Sequence, residues 1–124
     1  MVVKVIDGDT LKISHEGSNV NVRLIGINAP ENNTAIGKEA TNYVKTLVRA
    51  GDKIRIEFDI QQRDKYGRLL GYVYLPDGKM LNEEIVKSGF ANSMTIPPNI
   101  KHSNLFFKSY KEAKKNNKGL WGKR

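Results

Sequence analysis

The chain has 124 residues, of which 39% are hydrophobic and 27% charged, and it contains no cysteine. This length suits one domain over residues 1–124, and the composition is typical of a soluble globular protein. The absence of cysteine excludes disulfides and thiolate metal sites, and no segment approaches the roughly 20 apolar residues that a membrane-spanning helix needs.

Positive charge is concentrated near the C-terminus. The net charge is +8, but residues 101–124 contain eight basic residues and one acid, Glu112, so this segment carries +7. The preceding hundred residues therefore carry only +1. Such a basic end indicates a protein that binds polyanions, including nucleic acids. A solvated helix face, with lysines near a helix C-terminus, would give the same composition.

The first half of the chain predicts three strands and a helix. The runs VVKVI and TLKIS are followed by a turn signal at 16–18 and by NVNVRLIGI, which begins with polar–apolar alternation. The period then changes to that of an amphipathic helix, which is predicted to end near Gly51. The residues of its apolar stripe are Ala40, Val44, Leu47 and Val48.

The second half predicts two strands and two helices. KIRIEF (53–58) alternates strictly, and RLLGYVYL (68–75) is the next strand. A short helix is predicted over 81–88, ended by Gly89, and a lysine-rich helix runs towards Trp121. This order favours an α+β fold, an OB-type five-stranded β-barrel with three α-helices outside it.

Two carboxylates lie close together between the first two strands. Asp7 and Asp9 flank Gly8 in IDGDT. Oxygen-rich groups of this kind suit a hard cation such as calcium. Taken alone, the pattern is more typical of a tight turn in which Asp and Gly satisfy the backbone.

The stretch RLIGINAPE joins a cation to a carboxylate through a strand end. Pro30 ends the strand because it has no N–H donor and restricts the residue before it, which places Glu31 in a loop. Arg23 lies five positions before Asn28, so the two point to opposite faces of an ideal strand. They can serve one site only if a bulge or corner redirects one of them. The alternative is a surface arginine and a solvated loop acid.

The segment RDKYGR is a polar turn whose side chains could bind a phosphate. Arg68 opens a strand and is well placed to bind a phosphate with its two-pronged guanidinium, and Lys65 and Tyr66 are predicted to contact substrate. A charged hairpin tip is the alternative. Together with a carboxylate base and a divalent ion, two arginines meet the requirements of phosphodiester hydrolysis. A metal-free ribonuclease would instead need His15 and His102, which are both predicted to be exposed loop residues.

Several separated motifs resemble the staphylococcal nuclease (thermonuclease) family. In order they are VIDGDT, RLIGINAPE, GKEA, DKYGRLLGYVY, DGKMLNEEIVKSGFA and a final LW. The resemblance covers almost the whole chain, from Val2 to Trp121. The resemblance implies an OB barrel with three helices and a calcium-dependent enzyme that cleaves DNA and RNA, leaving 3′-phosphate ends. It also implies an extracellular or cell-surface location after removal of a leader that this sequence does not include; a cytoplasmic location is the alternative.

The same resemblance implies a calcium site. Asp9 resembles the principal calcium carboxylate, Asp7 a neighbour outside the direct ligands, and Ala29 a ligand through its backbone carbonyl. Asn28 departs from the family pattern, which has a second metal-binding aspartate there. An amide oxygen still binds calcium, but the site loses one negative charge. This loss weakens the attraction to the ion by a few kcal/mol at an effective dielectric of about 20. We therefore expect weaker calcium binding.

The resemblance implies roles for the remaining residues as well. Arg23 and Arg68 resemble the phosphate-binding arginines, and Glu31 resembles the general base or the organiser of the attacking water. Two further departures are the short loop ENNTAIGK and the segment SMTIPPN, which lacks the tyrosines expected near a nucleotide base. Asn28 and the shortened loop keep open a non-catalytic nucleic-acid-binding OB-fold module as the alternative to a monomeric nuclease. A purely structural domain would require the acids and arginines to be incidental.

Overall fold

The fold combines strands and helices in the predicted order. The computed structural model describes residues 1–122. The strands are β1 (Val2–Asp7), β2 (Thr10–His15), β3 (Ser18–Leu24), β4 (Ile27–Asn28), β5 (Arg55–Glu57), β6 (Leu69–Tyr74) and β7 (Asn92–Ser93). The helices are α1 (Ala35–Leu47), α2 (Leu81–Lys87) and α3 (Ser103–Lys115), with a short 3₁₀ turn at Gly119–Trp121.

Five strands form one mixed sheet in the order β1-β2-β3-β6-β5. Its neighbours are antiparallel except β3 and β6, which run parallel. The predicted α+β class, with five sheet strands and three helices, is confirmed, but the predicted barrel closure is wrong for this sheet. The predicted strand 53–58 contributes only three residues to β5. The strand β1 forms its hydrogen bonds with the turn before β5 and not with β5 itself. There, Val2 N donates to Asp52 O at 2.9 Å and Gly51 N donates to Val2 O at 2.7 Å.

The helices confirm the predicted apolar stripes and correct their ends. In α1 the side chain of Thr34 caps the N-terminus by accepting a hydrogen bond from Gly37 N at 3.0 Å. This helix ends at Leu47, before the predicted stop at Gly51. The helix α3 ends at Lys115, and the chain towards Trp121 turns as a 3₁₀ segment rather than continuing the helix. Among residues 1–122, none of the helices has the length and apolar character needed to span a bilayer.

The helices α2 and α3 cover the sheet with apolar side chains. Tyr72 of β6, Ile85 of α2 and Phe106 of α3 are at most 1% exposed and belong to one continuous core. Burial of this apolar surface is the main force that holds the helices to the strands. The core therefore fixes the strand ends on which the candidate site lies.

The run predicted as one strand, NVNVRLIGI, is interrupted at Gly26. Its φ of +83° lies in the left-handed region, and a Cβ there would come within 2.4 Å of the Phe106 ring. The interruption separates β3 from β4, which pairs with β7 in a small second sheet. This is the corner that the spacing of Arg23 and Asn28 requires if both serve one site.

Asn82 joins three buried backbone groups. It is fully buried; its Oδ1 accepts from Val73 N at 3.0 Å, and its Nδ2 donates to Ile25 O at 2.9 Å and Gly71 O at 3.3 Å. Asn82→Leu removes the side-chain partner of Val73 N and Ile25 O, whereas Gly71 O keeps its hydrogen bond from Ile25 N at 3.0 Å. Each buried unpaired polar group costs about 1–3 kcal/mol. We expect the free energy of unfolding to fall by about 3 kcal/mol or more, measured by urea denaturation. Asn19→Leu, on the exposed part of β3, is the control; a similar small loss in both variants would contradict this role.

Glu57 receives hydrogen bonds from three side chains of β6 and the start of α3. The hydrogen bond from Lys101 is the main cause that lowers the pKa of Glu57 to about 2 from an ordinary 4.5. Burial acts to raise this pKa, and the hydrogen bonds with His102 and Tyr74 lower it further. A depressed folded-state pKa stabilises the fold above the unfolded-state pKa, and that stability is lost as the pH falls towards 2. We expect the melting temperature to drop between about pH 4.5 and 2, and Glu57→Gln to flatten this drop. An unchanged pH profile in Glu57→Gln would contradict the assignment.

Candidate active site

Asp9 lies buried at the end of the β1–β2 turn. Its Oδ2 accepts a hydrogen bond from Ala29 N at 2.8 Å, and Thr10 Oγ1 donates to its Oδ1 at 3.2 Å. Asp7 Oδ1 accepts from Asp9 N at 3.1 Å, so the two acids lie together. Burial raises the pKa of the Asp9 carboxyl to about 6, against the opposing charge of Arg23. The Asp residues of this turn therefore do more than satisfy the local backbone, because the Asp9 carboxylate is hydrogen-bonded to the backbone of Ala29, after β4.

Arg23 is fixed by backbone carbonyls as well as by Asp9. Its Nη1 donates to Leu24 O at 2.7 Å and to Ile27 O at 2.8 Å, and its Nη2 lies 3.3 Å from Asp9 Oδ2. The side chain is only 14% exposed, so the alternative of a surface arginine does not hold. Burial lowers the pKa of Arg23 and Asp9 opposes that effect. A buried guanidinium with its orientation fixed on three sides is well suited to hold a phosphate oxygen in one place.

Arg68 is positioned by Asp64, a residue that the sequence reasoning missed. Asp64 Oδ2 accepts from Arg68 Nε at 2.7 Å, while its Oδ1 accepts from the backbone N–H groups of Tyr66 and Arg68. Burial acts to raise the pKa of Asp64, but the hydrogen bonds from Arg68 and the backbone lower it overall. An Asp whose side chain accepts hydrogen bonds from the backbone N–H groups two and four residues later is a recognisable turn signal. This signal could have identified Asp64 from the sequence.

Both arginines line one cavity of about 270 Å³. Lys65 and Tyr66 lie on the same wall, and Tyr66 is 71% exposed with the Arg68 guanidinium 5.6 Å from its ring. The remaining lining is mostly apolar: Leu24, Ile25, Gly26, Ile27, Gln61, Asp64, Leu70, Met94, Ile96 and Asn99. The cavity therefore combines positive charge with apolar surface, as a site for a phosphate attached to a flat base requires.

Glu31 and Asn28 are exposed beside this arrangement. Neither lines the cavity. Glu31 is tied to α1 through its backbone, since its carbonyl accepts from Thr34 N at 3.1 Å and Thr34 Oγ1 at 2.8 Å. Within residues 1–122, its carboxylate forms no hydrogen bond or ion pair. The structure thus brings Asp7, Asp9 and Ala29 into contact and leaves the Glu31 carboxylate free to meet a ligand.

The two histidines do not form a catalytic pair. His102 Nε2 lies 3.0 Å from Glu57 Oε1, and its ring packs edge-on against Tyr72 at 4.5 Å. His15 is the last residue of β2, and its Nε2 lies 3.8 Å from Glu16 Oε1. Both imidazoles are partly buried rather than fully exposed, which corrects the prediction. In the described chain, no three His, Asp or Glu side chains are grouped as metal ligands.

Comparison with known proteins places the chain in a family. The sequence model described as "Staphylococcal nuclease homologue" matches residues 21–123. The chain belongs to the staphylococcal nuclease family. It is 39% identical to the thermonuclease of Staphylococcus hyicus over 127 residues, which cover 97% of this chain and 73% of that protein. The thermonuclease of Staphylococcus intermedius is 40% identical over 98% of this chain and 74% of its own length.

Other staphylococcal nuclease relatives come from a different genus. Endonuclease YncB of Bacillus subtilis (strain 168) is 38% identical over 97% of this chain, and the match covers 60% of that protein. The family predicted from the motifs is therefore confirmed over nearly the whole chain.

Proposed function

We propose that this protein is a calcium-dependent, sugar-nonspecific nuclease that hydrolyses phosphodiester bonds of DNA and RNA and leaves 3′-phosphate ends. Membership of the staphylococcal nuclease family and its thermonuclease and endonuclease relatives confirm the enzyme class, a phosphodiester hydrolase. We propose further that the nuclease domain covers residues 1–124, acts as a monomer and works outside the cell or at its surface.

The convergence of Arg23 and Arg68 on one cavity is the observation that carries the proposal. The two residues lie 45 positions apart in the chain and come from the ends of paired strands, where Arg23 of β3 is opposite Leu70 of β6. Arg23 is held by backbone carbonyls and Arg68 by Asp64. Two guanidiniums fixed in this way stabilise the negative charge that develops on phosphate oxygens during hydrolysis.

The residues around Asp9 fit a hard cation by their donor chemistry. The Asp9 carboxylate, the Ala29 carbonyl and the Asn28 amide oxygen are all oxygen ligands, as calcium prefers, and Asp7 supports Asp9 by accepting from its backbone N–H. Arg23 partly neutralises Asp9 at 3.3 Å, and Asn28 brings no charge, so this set fits a weak site. A bound calcium ion would supply additional positive charge for the phosphate oxygens.

Glu31 supplies the remaining function, which is to take a proton from the attacking water. It is exposed at the N-terminal side of α1, and its backbone is fixed by Thr34. A carboxylate that is fixed through its backbone while its side chain stays free can reach a water beside the phosphorus. Lys65 and Tyr66 would hold the neighbouring phosphate and base, since both line the cavity.

Digestion of plasmid and of single-stranded DNA and RNA tests this proposal. Each substrate is incubated with millimolar calcium or with a chelator, and the ends of the products are analysed for phosphate. We expect cleavage only with calcium, with phosphate on the 3′ end. Cutting in the presence of chelator, or no cutting at any calcium concentration, would overturn the proposal.

Asn28→Asp is expected to lower the calcium concentration required for half-maximal activity. The substitution adds a negative charge to the set formed by Asp9 and the Ala29 carbonyl, which favours the cation. We expect a decrease of about tenfold or more, because about 1.4 kcal/mol of added attraction corresponds to a factor of ten. Asn33→Asp, in the exposed loop before α1, adds the same charge nearby and is the control. An unchanged calcium requirement in Asn28→Asp would mean that this position is not a ligand.

A non-catalytic nucleic-acid-binding module is the second candidate function. The neutral Asn28 favours it, as does the position of Glu31 outside the cavity lining. It predicts salt-sensitive binding of nucleic acids with no hydrolysis at any calcium concentration, and the digestion experiment separates the two.

A further inference from the structure

The helix α3 carries a row of lysines on the side that faces solvent. Lys108, Lys111 and Lys115 are spaced three and four residues apart, so they share one side of the helix. We call these three residues the α3 lysine face. At a rise of about 1.5 Å per residue, the face is about 10 Å long. This length corresponds to about three nucleotides along one strand of B-form DNA.

The charges of the α3 lysine face are not neutralised by the protein. All three lysines are exposed, and within residues 1–122 none of them forms a salt bridge. Glu112 is the one acid among residues 101–124 and lies four residues after Lys108, but among residues 1–122 it forms no salt bridge with that lysine. A solvated helix that served only solubility would gain from interspersed acids, which pair with lysines at i, i+4 spacing. The excess of unpaired cations instead matches a polyanionic ligand.

The opposite side of α3 is not available to a lipid surface. Its apolar residues Phe106 and Ala113 are buried, Phe106 belongs to the core, and α3 packs against α2. An amphipathic helix that lies on a membrane needs an apolar face free to enter the bilayer. The exposed Phe107 lies beside the lysine face, with Lys111 Nζ 5.2 Å from its ring centre. One exposed ring next to lysines suits stacking on a base of a single strand.

The helix starts next to the candidate active site. Asn99 lines the cavity, and its side chain forms two hydrogen bonds of 2.8 Å with the backbone of Gln61 on the neighbouring wall. The helix begins four residues later, at Ser103. A strand that left the cavity past Asn99 would reach the beginning of α3 first and Lys108 five residues further along the helix.

We propose that the α3 lysine face is a second nucleic-acid contact surface, which binds the phosphates of the strand beyond the cavity. It rests on the proposed nuclease function for its substrate and adds to it a preference for long chains over short ones. Lysines on flexible stems contact phosphates without reading bases, so the contact is independent of sequence.

The test compares two triple variants with equal charge change in the full chain. Lys108→Gln/Lys111→Gln/Lys115→Gln removes the face, and Lys4→Gln/Lys45→Gln/Lys53→Gln removes three exposed lysines from β1, α1 and the turn before β5. Binding of a fluorescent 20-nucleotide single-stranded DNA and of a dinucleotide is measured in chelator between about 50 and 300 mM salt. Because no cleavage is required, this readout is separate from failure of the nuclease proposal.

We expect the first variant alone to bind the long DNA about tenfold or more weakly at 100 mM salt, with a salt slope smaller by about two units, since each single-strand phosphate contact contributes about 0.7. Binding of the dinucleotide and the melting temperature should stay the same. Equal losses in both triple variants would mean a general charge effect and would overturn the proposal. Unchanged DNA binding combined with lost binding to phosphatidylserine vesicles would overturn it in favour of a lipid surface.

Discussion

Glu31→Gln is expected to lower kcat by about 10²–10⁴ while leaving the fold intact. A positioned general base contributes a rate factor of this size, and glutamine keeps the shape of the side chain but cannot accept the proton. The carboxylate is exposed and forms no hydrogen bond or ion pair within residues 1–122, so the free energy of unfolding should change by no more than about 0.5 kcal/mol. Calcium-dependent cleavage and thermal melting measure the two effects.

The control for Glu31→Gln is Glu16→Gln. Glu16 is an exposed acid in the β2–β3 turn, with His15 Nε2 at 3.8 Å from its carboxylate, and its removal changes the net charge equally. We expect wild-type cleavage by this variant. If Glu31→Gln retained more than a tenth of the wild-type kcat, Glu31 would be an organiser of bound water at most, and the base would have to be sought elsewhere.

Arg23→Met should be damaging to both stability and activity, unlike Arg68→Met. Removing Arg23 leaves the buried Asp9 without its cation, and it leaves the carbonyls of Leu24 and Ile27 without their donor. Breaking a buried ion pair from one side costs about 3–5 kcal/mol. Arg68 is 34% exposed and pairs with Asp64 near the surface, so its loss should cost about 1 kcal/mol or less. Each substitution should lower kcat by about 10²–10³.

The double variant Asp9→Asn/Arg23→Met separates the buried charge from the lost packing. It removes the uncompensated carboxylate while an amide oxygen remains to accept from Ala29 N. We expect it to be more stable than Arg23→Met alone in urea denaturation. A double variant that is less stable by the sum of the two single losses would show that Asp9 and Arg23 are not energetically coupled.

The regular elements were predictable because their signals are local. The helical stripe from Ala40 to Val48 and the alternation in the first strands arise from burial of one face. The two-residue strands β4 and β7 carry no periodic signal, and the corner at Gly26 depends on its contact with Phe106. Closure of the sheet was overestimated because a strict alternation over 53–58 does not reveal how many of its residues find a partner strand.

The candidate site was predictable in its residue types but not in its supports. Acids and arginines in recognisable motifs identified Asp9, Arg23 and Arg68 before any geometry was known. Besides Asp9, the partners of Arg23 are two backbone carbonyls, which leave no trace in a sequence. Glu57 and His102 lie 45 positions apart, and only the packing of α3 on the sheet brings them together.

The most direct test of the central claim is a crystal structure with calcium and a non-hydrolysable dinucleotide. The account predicts one calcium ion bound by Asp9 and the Ala29 carbonyl, with one phosphate contacting that ion and both Arg23 and Arg68, and the Glu31 carboxylate within hydrogen-bonding distance of a water beside the phosphorus. A phosphate bound by only one arginine, or an ion bound away from Asp9, would contradict it.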